Sequence, residues 1–268
     1  MRILIADDES NNRILMHKYL QSWGQCDLVQ DGSEAVEAFQ IATDEGSPYD
    51  LICMDQFMDE MNGDEALKAI RTIENQWGID PNFRTFVIII SGDSTPIQDT
   101  SLLESDACLL TLPKPITQTQ LYATLQKNGF FPPEESSTSS MLLSTAQNFP
   151  QIPGLDRDSG LDRVMGNAPL YLELLGNFLH THEADMASLQ TALDADSRDI
   201  ILRILHKIKG SSGNISANRV HFAAKALEDA FRRDIPLAQR TPLLAEFFAA
   251  MNELLTGLRL LDTHANRD

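Results

Sequence analysis

Basic side chains are scarce in this chain. Its 268 residues include 21 Lys and Arg against 39 Asp and Glu, a net charge of −18. Such acidity argues against unspecific binding to nucleic acid or to an anionic membrane surface. The excess is uneven. Through Phe130, 21 acids face 8 basic residues, a net of −13, and the remainder has 18 against 13, a net of −5. Solubility explains the total but not its concentration in one half. Cysteine is equally sparse. Cys26, Cys53 and Cys108 lie far apart, at no metal-ligand spacing, and read as small core thiols of strands in a reducing compartment. Long apolar runs are missing: none approaches the roughly 20 residues that span a bilayer. Asp7-Asp8 interrupts the first apolar run almost at once, unlike a secretory leader. The expectation is a cytoplasmic protein with no direct membrane insertion. There is no internal repeat.

What is present begins with four short apolar runs, each leading to a polar group. Ile3–Ala6 leads to Asp7-Asp8, Leu51–Met54 to Asp55, Val87–Ile90 to Ser91, and Cys108–Leu110, through Thr111-Leu112-Pro113, to Lys114-Pro115. Helical periodicity separates the runs: a first helix capped at Ser10 or Asn11 with Ile14, Leu15, Tyr19 and Trp23 on its apolar face, a second over 33–42, a third over 63–76, a short one after Pro96 and a fifth over 117–127. A further strand falls around Asp27–Val29. Alternating strands and helices imply a five-stranded doubly wound parallel sheet, flavodoxin-like in class, over residues 1–128. Pro, Ser and Thr then dominate residues 129–154, which read as a flexible linker. Beyond it strand signals vanish. Helical segments over 161–165, 169–193, 197–215, 217–232 and 241–261 imply an all-α bundle across residues 155–268.

Ligands of open parallel sheets bind outside the carboxyl ends of the strands, where the four polar groups converge. A carboxylate that accepts a phosphoryl group is repelled by the incoming dianion, and a bound Mg²⁺ relieves that repulsion. Asp7, Asp8 and Asp55 supply carboxylates, and a backbone carbonyl just past Asp55 adds an oxygen. Lys114 offers a cation and Ser91 a donor to phosphoryl oxygens. Taken singly, acids after a strand cap the next helix, and Lys114 is a solvated charge.

Taken together, Asp7-Asp8-Glu9, Met54-Asp55, Met58-Asp59-Glu60-Met61-Asn62-Gly63, Ser91-Gly92 and Lys114-Pro115 make residues 1–128 resemble the receiver domain of two-component response regulators. The resemblance implies that Asp55 is the phosphoacceptor. It implies Mg²⁺ bound directly by Asp8, Asp55 and the Phe57 carbonyl, with Asp7 acting through water. It implies that Ser91 and Lys114 contact the phosphoryl group, and that the Lys114-Pro115 bond is cis. Asp59 stands where the family usually has proline, and Thr111 where it usually has an aromatic residue. Phe57, bulky and apolar two residues past the acceptor, is expected to hinder attacking water.

The second half contains Leu205-His-Lys-Ile-Lys-Gly-Ser-Ser-Gly-Asn-Ile215. On a helix, Ile201, Ile204, Leu205 and Ile208 form a core-facing stripe, and His206, Lys209, Gly210 and Gly213 fall on another face. His206 is therefore expected to be exposed, with glycines beside it that weaken the helix and favour close approach by another body. Lys209, one turn on, can hold a phosphoryl oxygen. His180 and His182, two apart, make a poor metal pair. Here residues 155–268 resemble a histidine phosphotransfer (HPt) domain. The resemblance implies phosphorylation on a ring nitrogen of His206, with Lys209 as electrostatic support and no nucleotide site.

The expectation is a phosphorelay protein, not a classical enzyme, with Mg²⁺ as cofactor. Asp55 takes a phosphoryl group from a sensor histidine kinase or another HPt protein. His206 exchanges one with a receiver aspartate, in cis or in trans. The linker gives a mean span of roughly 25–30 Å if flexible, which permits either. The other reading is a binding switch, in which the phosphorylated receiver gates access to the helical domain. Kinase nucleotide-binding, helix-turn-helix and cyclic-dinucleotide signatures are missing.

Overall fold

The computed structural model describes residues 1–92, 108–132 and 151–265. The chain divides into two units, Met1–Ser136 and Ser137–Asp268.

The first unit runs β1 (Arg2–Ala6), α1 (Ser10–Leu20), β2 (Gln25–Val29), α2 (Gly32–Asp44), β3 (Leu51–Asp55), α3 (Gly63–Gln76), a 3₁₀ turn (Pro81–Phe83), β4 (Phe86–Ser91), β5 (Leu109–Pro113) and α4 (Gln118–Lys127). All strand pairs are parallel and the order is β2-β1-β3-β4-β5. The central strands β3 and β4 are buried throughout. That burial explains why their sequences are continuous apolar runs rather than alternating ones. On one face Leu4, Ala6, Ile52, Met54, Val87 and Ile89 pack against Ala35, Phe39, Leu67 and Ile70 of α2 and α3. The expected helix after Pro96 lies outside the described residues.

Helix α1 starts one residue earlier than its Ser10 or Asn11 cap would have it. Glu9 is the N-cap and makes no side-chain cap bond. The Asp7 carboxylate accepts from the Glu9 backbone N–H at 2.9 Å, and the Glu9 carbonyl accepts from the Asn12 and Arg13 N–H groups. Leu15, Met16, Tyr19 and Leu20 form the buried face, while Ile14 is only half-buried. Trp23 is buried beyond the helix end, edge-on to Tyr122 of α4. Of the three cysteines only Cys53 is a buried core thiol. Cys26 and Cys108 are half-buried, and Cys108 precedes its strand instead of lying in it.

Within the segment read as linker, both described ends are packed. Phe130 meets Phe86 edge-on, and Ile152 is buried where Gly257 leaves room for it. The second unit is helical: α5 (Arg157–Arg163), α6 (Ala168–Asp194), α7 (Arg198–Asn214), α8 (Asn218–Arg232) and α9 (Leu237–Ala265). Helix α7 packs on α6 and α8, and α9 on α8 and α6. The short connections between consecutive helices make a bundle. Its core takes Tyr171, Leu174 and Phe178 from α6, Ile201, Leu205 and Ile208 from α7, and Phe247 and Met251 from α9. Among the described residues no helix is long and apolar enough to cross a membrane.

Candidate functional site

Strand order reverses between β1 and β3, so the crevice of the sheet opens at their carboxyl ends. Asp7 and Asp8 follow β1, Asp55 is the last residue of β3, Ser91 ends β4 and Lys114 follows β5. One carboxylate oxygen from each of Asp7, Asp8 and Asp55 lies within 4.8 Å of the others. Asp7 and Asp55 are buried, and Asp8 is half-buried. The Lys114 ammonium sits 2.5 Å from Asp55 Oδ2 and 3.2 Å from Asp7 Oδ2. Burial works against the Lys114 charge, but Asp55, Asp7 and Asp8 more than offset it and hold the group above the ordinary lysine range. Ser91 is buried, its carbonyl accepts from the Lys114 N–H at 2.6 Å, and the following Lys114-Pro115 bond is cis.

The loop after Asp55 folds back on the strand. Gln56 donates its N–H to Ile90, and Gly63 donates to the Gln56 carbonyl. A Cβ on Gly63 would stand 2.3 Å from the Asp55 carbonyl oxygen, so only glycine allows this approach. Phe57 is half-buried in this loop, Asp59 accepts from the Met61 N–H, and Glu60 adopts a positive φ of 60°. Thr111 is exposed on β5. Three clustered hard oxygen donors beside a backbone loop suit Mg²⁺, which takes oxygen ligands and retains water. They do not suit the softer metals that thiolate and imidazole select.

The second cluster departs from expectation. His206 is only partly exposed: its side chain is 14% accessible, and Nδ1 lies 3.1 Å from Glu228 Oε1. Lys209 does not stand open beside it. Its side chain is 1% accessible and pairs with Glu228 Oε2 at 2.7 Å. Arg232 closes the group, with Nη2 at 2.7 Å from Glu228 Oε1. The physical reason is α8, which packs across the face of α7 that a helical wheel leaves open. Ser211, Ser212 and Gly213 are buried with Lys209. Burial opposes ionisation of Glu228, but His206 and Lys209 more than offset it and hold the carboxyl down at about 2. A carboxylate accepts only, so His206 Nδ1 carries the proton and a neutral ring keeps its lone pair on Nε2.

Glu228 and Arg232 lie outside the sequence expectations. Their spacing of four on a helix is an ordinary surface pair, and nothing in it points to His206. His182, in sequence only half of a poor metal pair with His180, has partners of its own. It is fully buried, with Nδ1 2.8 Å from Asp185 Oδ2 and Nε2 2.6 Å from Ser211 Oγ. His221 Nδ1 reaches the Lys209 carbonyl at 2.8 Å.

Two family models match the chain: the response regulator receiver domain over residues 3–126 and the Hpt domain over residues 173–261. Among curated proteins, the sensor histidine kinase GacS of Pseudomonas protegens is 26% identical over 262 residues, covering 94% of this chain and 26% of GacS. The two-component response regulator ORR41 of Oryza sativa subsp. japonica is 29% identical over 127 residues, covering 47% of this chain and 93% of that protein. The chain thus spans about a quarter of the length of the GacS kinases it matches, at 26% and 25%. A solved receiver domain of the Arabidopsis thaliana histidine kinase CKI1, complexed with Mg²⁺, is 26% identical with a TM-score of 0.40, covering 47% of this chain and 90% of that one.

Proposed function

We propose, from the premise that this chain joins a response regulator receiver domain to an Hpt domain, that it carries phosphoryl groups in a phosphorelay through Asp55 and His206. One observation carries the reading: a carboxylate cluster with a lysine on Asp55 in one unit, and in the other a partly exposed imidazole oriented by the buried Glu228.

Asp55 is the acceptor. The donor is a phosphohistidine, on a sensor histidine kinase or another HPt protein. As the donor N–P bond breaks, an Asp55 Oδ–P bond forms, and the leaving imidazole keeps the electron pair. Lys114, already between Asp55 and Asp7, shifts onto the phosphoryl oxygens, and Ser91 donates to another. Asp8, Asp55 and the Phe57 carbonyl would hold Mg²⁺, with Asp7 acting through water. Bound there, the ion supplies charge neutralisation for the anionic acceptor and phosphoryl group.

His206 exchanges phosphoryl with a receiver aspartate, of this chain or of a partner. As the aspartyl O–P bond breaks and the carboxylate leaves with the electron pair, Nε2 gives its lone pair to phosphorus, the ring turns cationic, and Glu228 faces that charge at Nδ1. Lys209 acts through Glu228 rather than on the phosphoryl group. The receiver unit promotes only its own phosphorylation and dephosphorylation. The clustered chemistry, with a net charge of −18, supports a cytoplasmic signalling protein that binds no nucleic acid.

A radiolabelled phosphohistidine donor tests the reading. Two histidines do not exchange phosphoryl directly here, so label should reach His206 only through Asp55. Wild type should carry acid-labile label on His206, Asp55→Ala none, and His206→Gln only the acyl phosphate. Equal His206 labelling in Asp55→Ala would refute it.

A further inference from the structure

Asp7 is held by donors on both carboxylate oxygens. Its Oδ1 accepts from the Glu9 N–H at 2.9 Å and from Asn12 Nδ2 at 2.9 Å. Its Oδ2 accepts from the same Asn12 nitrogen at 3.0 Å and from Lys114 Nζ at 3.2 Å. Those contacts match the roughly four lone-pair sites of a carboxylate. Lys114 sits on a flexible stem and can leave. Asn12 cannot, because it lies in the first turn of α1, 4% exposed, with its amide straddling both oxygens. Arg13 follows and donates to the Asp7 backbone carbonyl, which fixes the same residue from its other end.

Asp7 offers oxygens already engaged by fixed N–H donors, and direct coordination would have to displace them. Contact through a metal-bound water leaves the amide bonds in place.

Resting on the reading of Asp7, Asp8 and Asp55 as a cation site, we propose that Asn12 is a specificity-determining residue for the ion. By occupying both Asp7 oxygens it keeps Asp7 at one water's distance. That favours Mg²⁺, which dehydrates reluctantly and keeps several waters. It disfavours Ca²⁺, which gathers about six to eight oxygen ligands.

The test is calorimetric titration of the full chain with Mg²⁺ alone and with Ca²⁺ alone. Wild type should bind Mg²⁺ more tightly. Asn12→Leu, close in size but without the donors, should weaken Mg²⁺ binding about 10-fold or more, the usual effect of removing a residue that orients a ligand. Ca²⁺ should hold or tighten, so the Mg²⁺/Ca²⁺ affinity ratio falls about 10-fold. Asn12→Ala, smaller and safer to fold, should shift the ratio the same way. A general loosening of α1 would weaken both ions together and leave the ratio alone. Variants that keep the wild-type ratio, with wild type still discriminating, overturn the assignment of Asn12 only. A wild-type chain that binds neither ion overturns the assignment together with the site beneath it.

Discussion

Glu228 gathers His206, Lys209 and Arg232 around one buried carboxylate. Replacing it with glutamine keeps the shape and removes the charge. A hydrogen bond to a charged group contributes about 1.5–3 kcal/mol. Glu228→Gln should accordingly slow phosphoryl transfer to His206 roughly 10- to 100-fold, measured with a phosphorylated receiver as donor. A rate within twofold of wild type would show that Glu228 only packs. Phe57 makes a second test at this scale. Two residues past Asp55 and half-buried, it would shield a proposed acyl phosphate from water, whereas asparagine would orient water by hydrogen bonding. Phe57→Asn should shorten the phosphoaspartate half-life about 10-fold, a barrier change of ~1.4 kcal/mol. An unchanged decay rate would reject the shielding role. Lys114 offers a stability test. Removing one partner of a buried ion pair costs about 3–5 kcal/mol. Lys114→Met should lower the melting temperature of the metal-free chain, with Mg²⁺ restoring more of the loss than it adds to wild type.

At the scale of elements, α7 is held from both sides. Asp185 of α6 takes His182 and also Lys207, and His182 takes Ser211. Burial, opposed by Asp185 and assisted by Lys207, holds His182 below its usual 6.5. Unfolded, the ring would take up a proton that the folded state refuses. Stability from this group is therefore fully present above pH ~6.5 and falls as the pH drops below it, by at most about 1.4 kcal/mol per pH unit. Urea unfolding followed by circular dichroism should show that slope in wild type and a flatter one in His182→Gln. Equal slopes would place the proton elsewhere. The same elements show what a sequence reveals. The strand-end groups are legible because a parallel sheet puts every carboxyl end on one edge, and a run such as Val87–Ile90 announces its strand by composition alone. Helix periodicity likewise places Ile201, Ile204, Leu205 and Ile208 in the core. A helical wheel is silent on which neighbour covers the other faces. Hence His206 and Lys209 look open in sequence and lie under α8 in the fold. The roles of Asn12, Glu228 and His182 are invisible for the same reason: each acts through a contact whose partner no local pattern names.

Over the whole molecule, phosphoryl chemistry of two kinds shares one chain. Asp55, the proposed acceptor, sits in the more acidic half, at net −13 against −5 for the remainder. Docking of a basic phosphohistidine partner onto that half should slow as ionic strength rises, because screening shortens electrostatic steering. A loading rate independent of salt would point to an apolar docking surface instead. The two bonds the proposal requires differ chemically: an acyl phosphate on Asp55 and a phosphoramidate on His206. A ³¹P spectrum distinguishes them in one sample, and it is the most direct measurement of the central claim. With Mg²⁺ and an immobilised phosphohistidine donor removed before each spectrum, wild type should develop the acyl phosphate signal first and the phosphoramidate second. Asp55→Ala should develop neither, and His206→Gln only the first. A phosphoramidate signal that arises at the wild-type rate without Asp55, or a wild-type chain that never forms the acyl phosphate, would contradict the relay.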